Sequence, residues 1–121
     1  GQDLTGTQTV LIVDDEDLLL TMGQTILSAY GYRVLTANAG QKALEILSQN
    51  NPPVDLLLTD LVMPLMSGRE LVEQARKLNP RLRILCTSGY AWPGNREDDP
   101  AYLQKPYSSQ ELLLKVKHML A

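Results

Sequence analysis

The sequence has few of the residues that mark several common protein classes. Its single cysteine, Cys86, cannot form a disulfide within the chain, and its apolar neighbours predict a small core residue. No apolar run approaches the roughly 20 residues of a membrane span, and no signal peptide is visible. The single histidine, His118, lies near the end of a predicted helix and is interpreted as a surface residue. Neither Cys86 nor His118 is placed for ordinary acyl transfer, and no glycine-rich nucleotide-binding motif occurs. These absences favour a cytoplasmic protein without disulfides.

The composition is that of one globular domain. The chain has 121 residues, of which 44% are hydrophobic and 21% are charged, and these values are ordinary for a domain with a substantial core. A net charge of -3 argues against non-specific binding to nucleic acid. Residues 1–8 show no apolar period and are predicted to be a tail or a linker, which leaves residues 9–121 as the domain.

Five short runs of apolar residues predict five strands. The central run, residues 56–60, opens with three leucines and ends in Thr59-Asp60, and such a short apolar run is typical of a strand buried on both faces. Segments with helical spacing alternate with the strands, and this order indicates a parallel sheet with helices on both faces. The other predicted strands comprise residues 9–13, 33–37, 83–87 and 101–104.

Polar side chains that could start helices follow three of these strands. An asparagine or serine stands three residues before a glutamine or glutamate in each case, which is the pattern of a capping pair. The predicted pairs are Asn38 with Gln41, Ser67 with Glu70, and Ser108 with Glu111, the last opening a helix over residues 108–120.

The residues whose side chains could bind ligands or react stand at the ends of the strands. Asp14 and Asp15 follow the first strand, Asp60 ends the third, Ser88 follows the fourth and Lys105 follows the fifth. In a parallel sheet these ends meet at one edge, where ligands bind. Carboxylates that crowd together suit Mg²⁺, and a nearby lysine and hydroxyl suit a phosphoryl group. One carboxylate can then act as the nucleophile and form an acyl phosphate.

Each of these residues also has a purely structural interpretation. Asp60 could simply form a turn, and Lys105 could be a solvated surface lysine. Thr87 competes with Ser88 for the site, because side chains alternate in direction along a strand. Tyr102 is either a half-buried core aromatic or a switch residue.

Taken together, the motifs resemble the receiver domain of bacterial two-component signalling. The resemblance covers residues 9–121. The segments Ser88-Gly89-Tyr90 and Leu103-Gln104-Lys105-Pro106-Tyr107 look most like those of receivers fused at the C-terminus of hybrid sensor histidine kinases. The family resemblance depends on six motif segments in the right order: Asp14-Asp15, Asp60, Met63-Pro64, Gly68, Ser88-Gly89 and Lys105-Pro106.

The resemblance assigns a role to each residue of the predicted site. It implies that Asp60 is the phosphoacceptor and that Mg²⁺ is bound directly by Asp15, Asp60 and the backbone carbonyl of Val62. It also implies that Asp14 acts mainly through water. The remaining implied roles are a phosphoryl contact for Lys105, a hydrogen bond from Ser88 to the new phosphoryl group, a switch at Tyr102 and a cis peptide bond before Pro106.

The fold implied by the resemblance is flavodoxin-like: a doubly wound, five-stranded parallel sheet of order 2-1-3-4-5. Receivers have a helix between the fourth and fifth strands. Here only residues 89–100 separate those strands, and they include two glycines and two prolines. Because both residue types disfavour helix, we expect that helix to be shortened or missing and residues 91–99 to form an irregular loop.

The resulting functional prediction is a Mg²⁺-dependent signalling domain, not an enzyme acting on a separate substrate. It would take a phosphoryl group from a histidine kinase or a histidine phosphotransfer domain and change the conformation read by a fused or downstream output domain. One alternative is a phosphatase of the haloacid dehalogenase type, but those enzymes have a second acid where this chain has Val62. Another is an unphosphorylated receiver-like module that only binds proteins. No contact with nucleic acid or membrane is expected.

Overall fold

The computed structural model describes residues 3–89 and 101–121. These residues form a sheet of five parallel strands, flanked by four helices. The strands are β1 (Thr9–Val13), β2 (Arg33–Ala37), β3 (Leu56–Asp60), β4 (Arg83–Ser88) and β5 (Ala101–Gln104). The helices are α1 (Asp17–Ala29), α2 (Gly40–Gln49), α3 (Gly68–Leu78) and α4 (Ser109–Leu120). The loop predicted over residues 91–99 lies outside the described residues.

The sheet has the order β2-β1-β3-β4-β5, so the predicted flavodoxin-like arrangement is confirmed. The order reverses direction between β1 and β3, where Val10 pairs with Leu56 and Val13 with Thr59. The chain leaves the sheet in opposite directions after these two strands, which opens a crevice at their carboxyl ends. Asp60 lies at this crevice, at the end of the central strand.

Two apolar layers cover the sheet, one on each face. Side chains alternate in direction along a strand, so Leu57 contributes to one layer while Leu56 and Leu58 contribute to the other. The first layer includes residues of α2 and α3, and the second includes residues of α1 and α4. Every residue of β1 and β3 is buried, as expected for central strands between two helical layers.

The predicted caps have different outcomes. Ser108 and Glu111 form a full reciprocal capping box at the start of α4. The Ser67 side chain accepts a hydrogen bond from the Glu70 amide at the start of α3. The predicted cap at Asn38 is wrong, because α2 begins one residue later, with Ala39 at the cap position and no side-chain hydrogen bond.

The segment predicted to be a tail or linker lies against the domain from residue 3 onward. The Gly6 amide donates to the Tyr30 carbonyl at 3.0 Å, and the Lys117 ammonium of α4 donates to the Thr5 carbonyl. Leu4 packs against the apolar layer of α1 and α4. Gly31 has a φ of 102° and lies so close to the segment that a Cβ would stand 2.4 Å from the Gly6 carbonyl oxygen. Residues 3–8 therefore pack as part of the domain surface.

Across the two described ranges, none of the helices has the length and apolar character needed to cross a membrane.

Candidate functional site

Three aspartates meet at the carboxyl edge of the sheet. Asp14 and Asp15 directly follow β1, and Asp60 is the last residue of the neighbouring β3. One carboxylate oxygen from each of the three lies within 4.8 Å of the others. The structure thus brings together the acids that the sequence analysis placed at one edge.

Lys105 extends over this cluster from the end of β5. Its Nζ donates to Asp14 Oδ2 at 2.9 Å and lies 3.4 Å from Asp60 Oδ2. The Lys105 amide donates to the Ser88 carbonyl at 2.7 Å, and the Lys105–Pro106 peptide bond is cis. A single ammonium group therefore bridges carboxylates from two strands.

Burial and neighbouring charges shift the acidity of the site. Burial raises the pKa of Asp60, and the charge of Asp14 adds to this effect, while Lys105 partly opposes it. Burial alone would lower the pKa of Lys105, but its hydrogen bond to Asp14 and the charges of Asp14 and Asp60 outweigh burial and raise that pKa. Lys105 is therefore held as a cation beside a carboxylate that is costly to ionise.

Asp14 and Asp15 have different surroundings although they are adjacent. Asp14 is buried, and both of its carboxylate oxygens are used: Oδ1 accepts from the Glu16 amide at 2.9 Å and Oδ2 accepts from Lys105. Asp15 is exposed. Solvent and ions can therefore reach the Asp15 carboxylate more easily than that of Asp14.

The donor set fits a hard divalent cation. Carboxylate oxygens are ligands that Mg²⁺ prefers, and it binds through one or two of them while keeping several waters. The three carboxylates and the one ammonium leave this cluster with two negative charges, which one divalent cation would balance. The cluster could therefore hold Mg²⁺ on chemical grounds.

The hydroxyl and aromatic candidates lie beside this cluster on β4 and β5. Ser88 is buried at the end of β4, and its carbonyl accepts a hydrogen bond from the Tyr102 hydroxyl at 3.3 Å. Thr87 is also buried and pairs in register with Asp60. Tyr102 packs against the apolar layer that contains Cys86, while its hydroxyl reaches the end of β4. Tyr102 thus packs as a partly buried core aromatic, and its hydroxyl contacts the backbone of Ser88.

Comparison with known proteins decides the family. The response regulator receiver domain family matches residues 10–117 of this chain. The chain is a receiver domain. Such domains carry signals in two-component systems, and the match includes every acid and the lysine of the cluster.

Relatives of this receiver include both kinases and response regulators. It is 39% identical over 123 aligned positions to the sensor kinase CckA of Brucella abortus, covering 98% of this chain and 13% of the kinase. It is 30% identical to the response regulator SaeR of Staphylococcus epidermidis, covering 93% of this chain and 50% of SaeR. The crystal structure of the receiver domain from the hybrid histidine kinase CckA superposes with a TM-score of 0.83 at 34% identity, covering 93% of this chain and 99% of that one. This receiver therefore spans half or less of these curated relatives.

Two features of the site could not be derived from the sequence pattern. The first is the ion pair of Lys105 with Asp14, which joins residues 91 positions apart and depends on the order of the strands. The second is the close packing of Gly68, where a Cβ would come within 2.2 Å of the Asp60 carbonyl oxygen. Gly68 belongs to the receiver motif, but only the structure shows that it lets the start of α3 approach the end of β3.

Proposed function

We propose that this receiver accepts a phosphoryl group on Asp60 from a phosphohistidine of a partner protein. The observation that carries the proposal is the position of the Asp60 carboxylate. It ends the central strand, lies 3.4 Å from the Lys105 ammonium and shares a cluster with the carboxylates of Asp14 and Asp15. Any phosphoryl group on Asp60 would therefore lie beside a lysine and a candidate cation site.

The transfer needs few protein groups because the nucleophile is already a carboxylate. An Asp60 oxygen forms a bond to phosphorus while the bond from phosphorus to the histidine nitrogen breaks, and the electron pair returns to the imidazole ring. Charge develops on the phosphoryl oxygens, and a fixed cation in a partly buried site stabilises it. Lys105 supplies such a cation, and the Asp14 hydrogen bond keeps it protonated and in place.

In the proposed magnesium site, Asp15 and Asp60 would bind the ion directly together with the backbone carbonyl of Val62. Asp14 would act mainly through water, and the engagement of both its oxygens supports this division. When bound, Mg²⁺ would neutralise the carboxylates and the phosphoryl oxygens. The ion would thereby offset the repulsion between the incoming phosphate and three aspartates.

Phosphorylation is proposed to shift a two-state equilibrium through Ser88 and Tyr102. The Ser88 hydroxyl would bond the new phosphoryl group. The Ser88 carbonyl already receives hydrogen bonds from the Tyr102 hydroxyl and the Lys105 amide. A movement at the end of β4 would therefore alter the hydrogen bonds of Tyr102 and Lys105, which lie in β5 and directly after it.

The proposed donor is a histidine kinase or a histidine phosphotransfer domain, and the signal would pass to a fused or downstream output domain. The kinase and response regulator relatives support both arrangements. The receiver would catalyse only its own phosphorylation and dephosphorylation, and we place it in the cytoplasm. No nucleic acid or membrane contact is part of the proposal.

The proposal is tested by incubating the chain with acetyl phosphate, with Mg²⁺ or with EDTA, and measuring intact mass. The expected result is one added phosphoryl group in Mg²⁺, little in EDTA, and loss of the adduct in alkali. Peptide mapping should place the group on Asp60. An alkali-stable adduct, or labelling that maps to another residue, would contradict the proposal.

A further inference from the structure

The loop between β3 and α3 exposes an apolar side chain on an unfavourable backbone. Leu65 has a φ of 68°, which is the left-handed region that a leucine rarely adopts. The Met66 amide donates to the Pro64 carbonyl at 2.8 Å, so the hydrogen bond spans Leu65 alone. A bond of this span with a positive central φ is the rarer, strained form of γ-turn. Leu65 thus occupies a position that glycine would fill at lower cost.

The Leu65 side chain gains nothing from burial in return. Its exposure is 102%, the highest among the large apolar residues in the described part of the chain, and it belongs to neither apolar layer of the core. Its apolar loop neighbours Leu61, Met63 and Met66 all pack inward against the layer of α2 and α3. The loop therefore partly buries these three side chains and presents Leu65, together with Val62, to solvent.

The rest of the loop holds this strained turn in place. The Gly68 amide donates to the Leu61 carbonyl at 2.9 Å, which closes the loop onto the end of β3. Gly68 also packs directly on the Asp60 backbone. Strain that persists because its surroundings enforce it is found at functional positions. The Leu65 turn is thus fixed relative to Asp60, five residues away.

We infer that Leu65 is a docking anchor for the protein that phosphorylates this receiver, and this inference rests on the proposed function. The Asp60 side chain is only 7% exposed, so a donor histidine reaches it only if the donor surface lies over the rim of the site. The β3–α3 loop begins directly after Asp60 and borders the site, because the Val62 amide donates to Asp60 Oδ1 at 3.5 Å. Val62 is itself 61% exposed, so this loop carries two exposed apolar side chains, Val62 and Leu65. The occupant is a phosphohistidine-bearing protein with an apolar recess next to its histidine. A donor as small as acetyl phosphate does not cover Leu65.

The test compares two donors on the Leu65→Gly variant. One donor is acetyl phosphate, and the other is a purified phosphohistidine protein selected because it phosphorylates the wild-type chain. Loss of a buried anchor at a protein interface should slow transfer from the protein donor about tenfold, with labelling by acetyl phosphate within about twofold of wild type. The melting temperature should be equal to or higher than that of wild type, because glycine relieves the turn.

Two further variants serve as controls. Leu65→Met keeps an apolar side chain and should retain most of the transfer rate. Leu78→Ala removes another exposed leucine at the far end of α3, 51% exposed, and should leave transfer from both donors unchanged.

Transfer from the protein donor at the wild-type rate in Leu65→Gly would overturn the inference. An equal slowing with both donors would also overturn it, because the residue would then act on Asp60 itself. Labelling of the wild-type chain at a residue other than Asp60, by either donor, would instead refute the proposed function and the anchor with it.

Discussion

At Asp14 and Asp15, adjacency in the chain produces two carboxylates with different surroundings. Asp14 is buried, and its two oxygens accept hydrogen bonds from the Glu16 amide and from Lys105. Asp15 is exposed within reach of the same cluster. A cation can replace water at the exposed Asp15 more easily than it can break the hydrogen bonds of Asp14. It will therefore bind Asp15 in preference to Asp14.

This difference predicts unequal effects on magnesium affinity. Asp15→Ala should weaken Mg²⁺ binding several-fold more than Asp14→Ala, since of these two residues only Asp15 is expected to be a direct ligand. A Mg²⁺ titration monitored by amide chemical shifts measures the affinity of each variant. A calcium-free, EDTA-treated sample gives the metal-free reference spectrum. Coincident titration curves for the two variants would refute the division of roles.

The choice between Ser88 and Thr87 is also made at the level of single residues. Both are buried at the end of β4, so exposure does not separate them. Acetyl phosphate is expected to change the nuclear magnetic resonance shifts of Tyr102. Ser88→Ala should reduce that change, because the hydroxyl that bonds the phosphoryl group is lost. Thr87→Val, which keeps the side-chain shape, should preserve that change. The opposite pattern of nuclear magnetic resonance shifts would assign the role to Thr87.

At the scale of elements, the start of α4 shows how a local sequence pattern contributes to the stability of the fold. The Ser108 hydroxyl accepts from the Glu111 amide at 3.0 Å, while the Glu111 carboxylate accepts from the Ser108 amide at 3.2 Å. Ser108→Ala removes one half of this box and should lower the free energy of unfolding by about 1 kcal/mol. Ser109→Ala, one position later, lies inside the helix and should cost less or nothing. Urea unfolding of the two variants measures the difference, and equal losses would show that the cap is unimportant.

The packing of residues 3–8 gives a second prediction at this scale. Gly31→Ala places a methyl group against the Gly6 carbonyl and forces alanine to a φ of 102°, so it should cost about 1–3 kcal/mol. Gly89→Ala is the matched control, because no atom of the described residues lies within 4 Å of its added Cβ. Thermal unfolding compares the two. Deleting residues 1–8 should make Gly31→Ala less costly, and an unchanged cost would show that the segment does not press on Gly31.

Local patterns predicted the strands well and the side-chain partners poorly. The apolar runs of β1, β2, β3 and β5 have the predicted bounds, and β4 extends one residue further, to Ser88. These runs are short and are bounded by polar or helix-starting residues, and this pattern predicts buried strands. The cap at Asn38 failed because the same asparagine fits a turn and a cap equally well. The Lys105–Asp14 pair could not be derived, since it depends on sheet order rather than on neighbours in sequence.

At the scale of the whole molecule, the parallel sheet brings charged side chains together at one edge and packs apolar side chains on both of its faces. Cys86 illustrates the second part: it is fully buried, and burial raises the pKa of its thiol to about 12, which matches its interpretation as a core residue. Asp60 illustrates the first part, since the same central strand that buries its neighbours delivers its carboxylate to the crevice. The fold therefore explains why this aspartate, among the chain's many acids, is the one proposed to react.

The most direct test of that claim compares two carboxylates at opposite ends of β3. Asp55 precedes the strand and accepts a hydrogen bond from the Thr9 amide at 2.8 Å, far from the cluster. In Mg²⁺ and acetyl phosphate, Asp55→Asn should gain one phosphoryl group per chain, as wild type does, and Asp60→Asn should gain none. Intact mass spectrometry reads both results from single samples. Undiminished labelling of Asp60→Asn would contradict the assignment of Asp60 as the phosphoacceptor.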